Sequence, residues 1–178
     1  MPSALRSPVA ILRFVLTAAI GTGLDLWTKS LAFSKLTLHG DAYPVIPGWL
    51  DFEIVINRGA VFGLGQGARV LFIAVSVGAI LFLLYLFATS GKRWVYQILL
   101  GLLLAGVLGN LYDRVTLGYV RDMIHALPGW KNFFPWVFNV ADSCLCTGVA
   151  LMLIYSMVAE YRGKKEVRNS AESRNSNG

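Results

Sequence analysis

Read only as apolar and polar positions, the chain divides into four long apolar blocks: about Val9 to Leu31, Val70 to Thr89, Trp94 to Leu111 and Trp136 to Tyr155. Crossing a hydrocarbon layer in helical form takes about 20 apolar residues, and each block meets that length. The apolar residues are gathered in these blocks rather than scattered at the spacing of a soluble core. Glycines within them, including Gly78, Gly101, Gly106, Gly109 and Gly148, weaken a soluble helix but let helices pack closely in lipid. Between the first two blocks, Leu36 to Gln66 is too polar to cross and is punctuated by Pro44, Pro47 and Gly48. There Leu50, Phe52, Ile54 and Ile56 alternate with Asp51, Glu53, Val55 and Asn57, the period of two that marks a strand with one buried face. The pattern predicts a mainly α membrane protein: four transmembrane helices with a small extracytoplasmic β-rich platform between helices one and two. Residues 1–161 are expected to form one domain, with the platform at about 36–66. The tail, 162–178, has nothing to bury and is expected to be disordered.

Composition agrees. The chain is 56% hydrophobic and only 15% charged, where soluble domains carry about 25% charged residues. The formal net charge of +6 is gathered largely in the tail, in Arg162, Lys164, Lys165, Arg168 and Arg174, without the basic face that nucleic acid requires. With Arg6, Arg13, Lys92 and Arg93 the tail marks one side of the membrane, which the positive-inside rule makes cytoplasmic for both termini. Trp27, Trp130 and Trp136 near one boundary, and Trp94 near the other, suit interfacial belts. The first block is too long for a cleaved secretory signal and is expected to be retained. Cys144 and Cys146 lie two apart on a predicted helix, cannot pair there, and read as small core hydrophobes. His39 and His125 have no metal-ligand spacing around them, so neither a metal nor another cofactor is expected.

The polar residues of the blocks fall at one end once this topology is drawn. Asp25 and Lys29, four apart at the outer end of span one, can pair. Asp113 reads most simply as a surface acid near Arg114. Asp122 and Asp142 are different, because neither has a basic partner at helical spacing on its own segment. Two carboxylates flanking one helix connection can approach closely enough to share a proton, since like charges in contact cannot both ionise. Such a pair activates water with one member and polarises a carbonyl with the other, with no metal or covalent intermediate. A serine route is disfavoured because Ser143 has no base placed to activate it. Two other readings compete: a small ion- or proton-coupled transporter, since intramembrane acids often mark ion paths, and a structural subunit that uses its acids to dock a partner. A transporter requires polar residues through the membrane depth, whereas spans two and four are almost free of charge below the outer interface.

Five segments also resemble a known family, the bacterial lipoprotein signal peptidases, or signal peptidase II. They are Asp25-Leu26-Trp27-Thr28-Lys29, Asn57-Arg58-Gly59-Ala60-Val61-Phe62, Gly109-Asn110-Leu111-Tyr112-Asp113-Arg114, Gly118-Tyr119-Val120-Arg121-Asp122 and Phe138-Asn139-Val140-Ala141-Asp142-Ser143. The resemblance implies an intramembrane aspartic endopeptidase of the bacterial cytoplasmic (inner) membrane, with Asp122 and Asp142 as its dyad near the outer face. It implies a prolipoprotein substrate cut before a diacylglyceryl-modified cysteine, membrane lipid as a partner and a monomeric enzyme. Asn57, Gly59, Gly106, Asn110, Arg114, Asn139 and Ala141 would line the substrate site, supported by Asp25 and Lys29. Leu26, Arg58, Val61 and Met123 depart from the family's usual residues and bear on substrate preference and platform contacts.

Overall fold

The computed structural model describes residues 4–38, 40–59, 67–130 and 136–175. Helix α1 (Pro8–Lys35) starts where the sequence supplies both a cap and a stop to the preceding chain. The Ser7 hydroxyl accepts from the Ala10 N–H at 3.3 Å, and Pro8 stands at the first helical position, where its missing N–H costs no bond. Strands β1 (Tyr43–Ile46) and β2 (Leu50–Asn57) follow, then helices α2 (Arg69–Thr89) and α3 (Trp94–Thr116). Strands β3 (Val120–Ala126) and β4 (Val137–Phe138) lead into helix α4 (Val140–Asn175).

Among the described residues four helices are long and apolar enough to span a bilayer, with mean hydropathies of 1.7, 2.8, 1.7 and 1.6. Helix α3 is central and packs against the other three. Its Leu100 is fully buried, and α1 and α2 meet beside it where the Phe14 and Phe87 rings stack 4.3 Å apart. The outward faces are apolar: Leu81, Phe82, Leu153 and Ile154 are all exposed. An apolar surface this continuous is stable only against hydrocarbon, so the fold is that of a multi-pass membrane protein.

The sheet differs from its predicted form in origin. Its order is β1-β2-β3-β4, all antiparallel, so β3 and β4, from the connection between α3 and α4, supply half of the strands. The platform is thus not confined to the segment between helices one and two. The pairing of Val55 with Asp122 and Asn57 with Val120 brings two segments remote in sequence side by side. One further expectation is corrected. Trp136 to Asn139, assigned to the fourth span, is extended chain and strand before the helix begins at Val140. Helix α4 runs on to Asn175 and carries the i,i+4 pairs Glu160 with Lys164 and Glu172 with Arg168, a spacing that supports an exposed helix.

Candidate active site

The site is organised by the start of α4. Asn139 is its N-cap: the Asn139 side-chain oxygen accepts from the Asp142 N–H at 2.9 Å, and Asp142 Oδ2 accepts from the Asn139 N–H at 3.3 Å. This reciprocal arrangement satisfies two backbone donors that a helix start leaves without partners. It also fixes Asp142 in the first turn. A third donor of that turn, the Ala141 N–H, is taken by Asp25 Oδ1 from α1 at 2.8 Å, which places a carboxylate at the positive end of α4.

The opposite edge of the Asn139 amide reaches the second acid. Asn139 Nδ2 donates to Asp122 Oδ1 at 2.6 Å and to Asn110 Oδ1 at 3.1 Å. Asn57 Nδ2, from β2, donates to Asp122 Oδ2 at 3.0 Å. Asn110 Nδ2, from α3, donates to Asp142 Oδ1 at 2.8 Å. Asp122 and Asp142 therefore have all four carboxyl oxygens on N–H donors, and Asn139 touches both. Residue Asn139 thus bridges the two carboxyls, donating to Asp122 from its side chain and to Asp142 from its backbone. Asp122 is 1% exposed. Burial first, and the neighbouring Asp142 second, push its carboxyl up from the ordinary range to about 7, against the opposing pull of Asn57 and Asn139.

A cavity of about 180 Å³ opens beside the pair, lined by Asn57, Gly106, Asn110, Arg114 and Asp142 together with Val75 and Ser76 of α2. Gly106 is required by close approach: a Cβ there would lie 2.5 Å from the Ala141 carbonyl oxygen, so any larger residue would push α3 and α4 apart. Arg114 spans the cavity rim, donating from Nη2 to the Gly59 carbonyl at 3.1 Å and lying over the Phe72 ring. Gly59 is buried next to it, and its N–H is held by Asn57 Oδ1 at 2.9 Å. All eleven residues named in advance thus fall within one connected region. Ala60, Val61 and Phe62 of the second segment, and His39, lie outside the described residues.

Beside this region is a second cluster that the sequence reveals only in part. Lys29 and Asp25 pair as expected, at 2.7 Å and fully buried. Asp113, however, is no surface acid and does not pair with Arg114. It is fully buried, 3.4 Å from Lys29, and receives the Arg121 guanidinium at 2.8 Å and the Arg121 N–H at 3.0 Å. The turn that permits this passes through Gly118 at φ +86°, a backbone region that disfavours a side chain. Asp113 and Arg121 are the functional candidates missed. Their eight-residue separation across a tight turn was the available signal. Elsewhere, His125 pairs with Glu53 at 3.2 Å, and Cys146 is exposed on α4 rather than buried in a core.

The fold and site together define a membrane protein with paired acids at one end of a four-helix bundle. Two solved bacterial membrane enzyme structures are similar to it in fold, with TM-scores of 0.74 and 0.72 at 32% and 31% identity. They cover 81% and 87% of this chain, and 87% and 96% of their own. Residues 17–158 match the family described as signal peptidase (SPase) II. The lipoprotein signal peptidase of Enterococcus faecalis is 36% identical over 88% of this chain and 94% of its own, and that of Caldanaerobacter subterraneus subsp. tengcongensis is 42% identical over 76% and 88%. The chain belongs to the signal peptidase II family, a family of aspartic-type peptidases. That membership excludes the transporter and docking-subunit readings as the primary activity.

Proposed function

We propose that Asp122 and Asp142 are the catalytic pair of this peptidase and that its substrate is a prolipoprotein, cut before a diacylglyceryl-modified cysteine. The observation that carries the reading is the sharing of Asn139 by two acids, Asp122 buried and Asp142 half-buried at the cavity, neither of which forms an ion pair among the described residues. With Asp122 as the protonated member, its proton goes to the scissile carbonyl oxygen while Asp142 takes a proton from the attacking water. A tetrahedral diol results. In its collapse Asp142 gives its proton to the leaving amine while Asp122 takes one from a diol hydroxyl, so the pair returns to one proton and one negative charge. Arg114 and the amides of Asn57 and Asn110 supply donors for a peptide backbone that has left water, beside the cavity that receives it.

The sheet and the acids stand at the outer face of the bacterial cytoplasmic membrane in this reading. Both termini and the basic tail are cytoplasmic, the lipid-facing sides of the helices admit acyl chains, and the enzyme works as a monomer. Arg58, exposed at the end of β2, adds a contact to lipid phosphate. A cysteine introduced at Lys164 should resist an impermeant thiol reagent applied from outside the cell, and labelling there would reverse the orientation. The decisive assay uses purified full-length enzyme in detergent with a lipidated precursor. Asp122→Asn and Asp142→Asn should each lower turnover by at least about a thousandfold, while circular dichroism and gel filtration match the unsubstituted protein. Turnover retained in either variant would remove the assignment.

A further inference from the structure

We infer that Arg121, a residue touching neither acid, is a positioning residue for both, an inference resting on Asp122 and Asp142 being the reacting pair. Its guanidinium forms a fork on Asp113, with Nη2 2.8 Å from Oδ1 and Nε 3.2 and 3.3 Å from the two oxygens, and its backbone N–H donates to Oδ2 at 3.0 Å. Nη1 reaches the Ser30 hydroxyl of α1 at 3.4 Å. One side chain therefore ties β3 to the outer ends of α3 and α1.

Two consequences follow, one for each acid. Successive side chains along a strand point to opposite faces. Pinning Arg121 to Asp113 on one face of β3 therefore fixes where Asp122 projects on the other, toward Asn57 and Asn139. The second consequence runs through charge. Asp25 and Asp113 are both fully buried, and the cations within ion-pair distance of them are Lys29 and Arg121, two acids against two bases. Because Arg121 neutralises Asp113, Lys29 stands 2.7 Å from Asp25 and only 3.4 Å from Asp113. From there Lys29 Nζ donates to Asn110 Oδ1 at 3.0 Å. With the bond from Asn139 Nδ2 to the same oxygen at 3.1 Å, it fixes which edge of the Asn110 amide is oxygen, and so turns its Nδ2 to Asp142. Without Arg121, one ammonium must serve two buried carboxylates, and its shift toward Asp113 takes from Asn110 Oδ1 the charged one of its two donors, leaving Asn139 alone to hold it.

Steady-state cleavage of a lipidated precursor by the full-length enzyme tests this, with Asp122→Asn as a control. Arg121→Met should lower kcat about tenfold to a hundredfold, the scale of a roughly 1 Å misplacement, with KM within about twofold because no substrate contact is removed. Arg121→Lys, which keeps the charge but loses the fork, should fall between the two and covers the case in which Arg121→Met does not fold. The double variant Asp113→Asn with Arg121→Met should regain much of the loss: Lys29 and Asp25 again balance, and an amide at position 113 still accepts the backbone N–H of position 121. An Arg121→Met or Arg121→Lys enzyme with unchanged kcat, or a double variant no better than Arg121→Met, would overturn the inference. If Asp122→Asn itself stays active, the dyad assignment fails instead.

Discussion

Two groups of carboxylates, buried except for the half-buried Asp142, lie side by side at one end of this bundle, and they are held by different chemistry. Asp25 and Asp113 are met by Lys29 and Arg121, so their charges cancel. Asp122 and Asp142 are met by amides and backbone N–H groups alone. Amides orient a carboxylate without neutralising it, so burial still acts on its charge, and Asp122 holds its proton up to about 7. The first group is held charged by its cations. In the proposed mechanism the second exchanges a proton, and the first supplies its frame.

The contrast can be broken most sharply at Lys29. Lys29→Met leaves Asp25 buried without its cation, and unpairing a buried ion of this kind costs about 3–5 kcal/mol. Chemical denaturation in detergent should show a loss of that size, together with lost activity. A variant of native stability would mean that the cations are not what hold the first group.

The second group can be sharpened by pH. A carboxyl whose folded-state value lies near 7, against 3.8 ordinarily, binds more protons folded than unfolded between those values. Its contribution to stability is therefore present below about pH 4 and is lost as pH rises toward 7. Thermal midpoints of the Asp122→Asn variant should gain on the unsubstituted protein from pH 4 to pH 8. A difference independent of pH would show that Asp122 titrates normally.

The smallest effect is expected where the pairing of Asp25 and Lys29 is repeated in water. Glu160 and Lys164 have the same i,i+4 spacing at 2.6 Å, with side chains 67% and 76% exposed. Glu160→Gln should change stability by no more than about 0.5 kcal/mol. A larger loss would show that the end of α4 is held by contacts beyond its own helix.

Much of this arrangement was legible before any coordinates. Long apolar blocks gave the four spans, because lipid leaves little other choice for a polar backbone. Alternation gave β2, because only one face of that strand is apolar. Strand β3 escaped for the opposite reason: Val120, Asp122, Met123 and His125 are all buried, on both faces, so its apolar residues keep no period of two. The capping role of Asn139 was readable from its spacing of three to Asp142, whereas its grip on Asp122 depends on strand pairing between distant segments. Asp113 was misjudged because its partner lies across a turn, where helical spacing does not apply.

The capping of α4 has a consequence for biosynthesis. Asn139 and Asp142 belong to the final hairpin, whereas their partners Asn57 and Asn110 are made earlier. On the proposed assignment, a nascent chain that has inserted only three helices possesses one acid of the pair and no bridge to a second, so proteolytic competence arrives in a single step with the last helix.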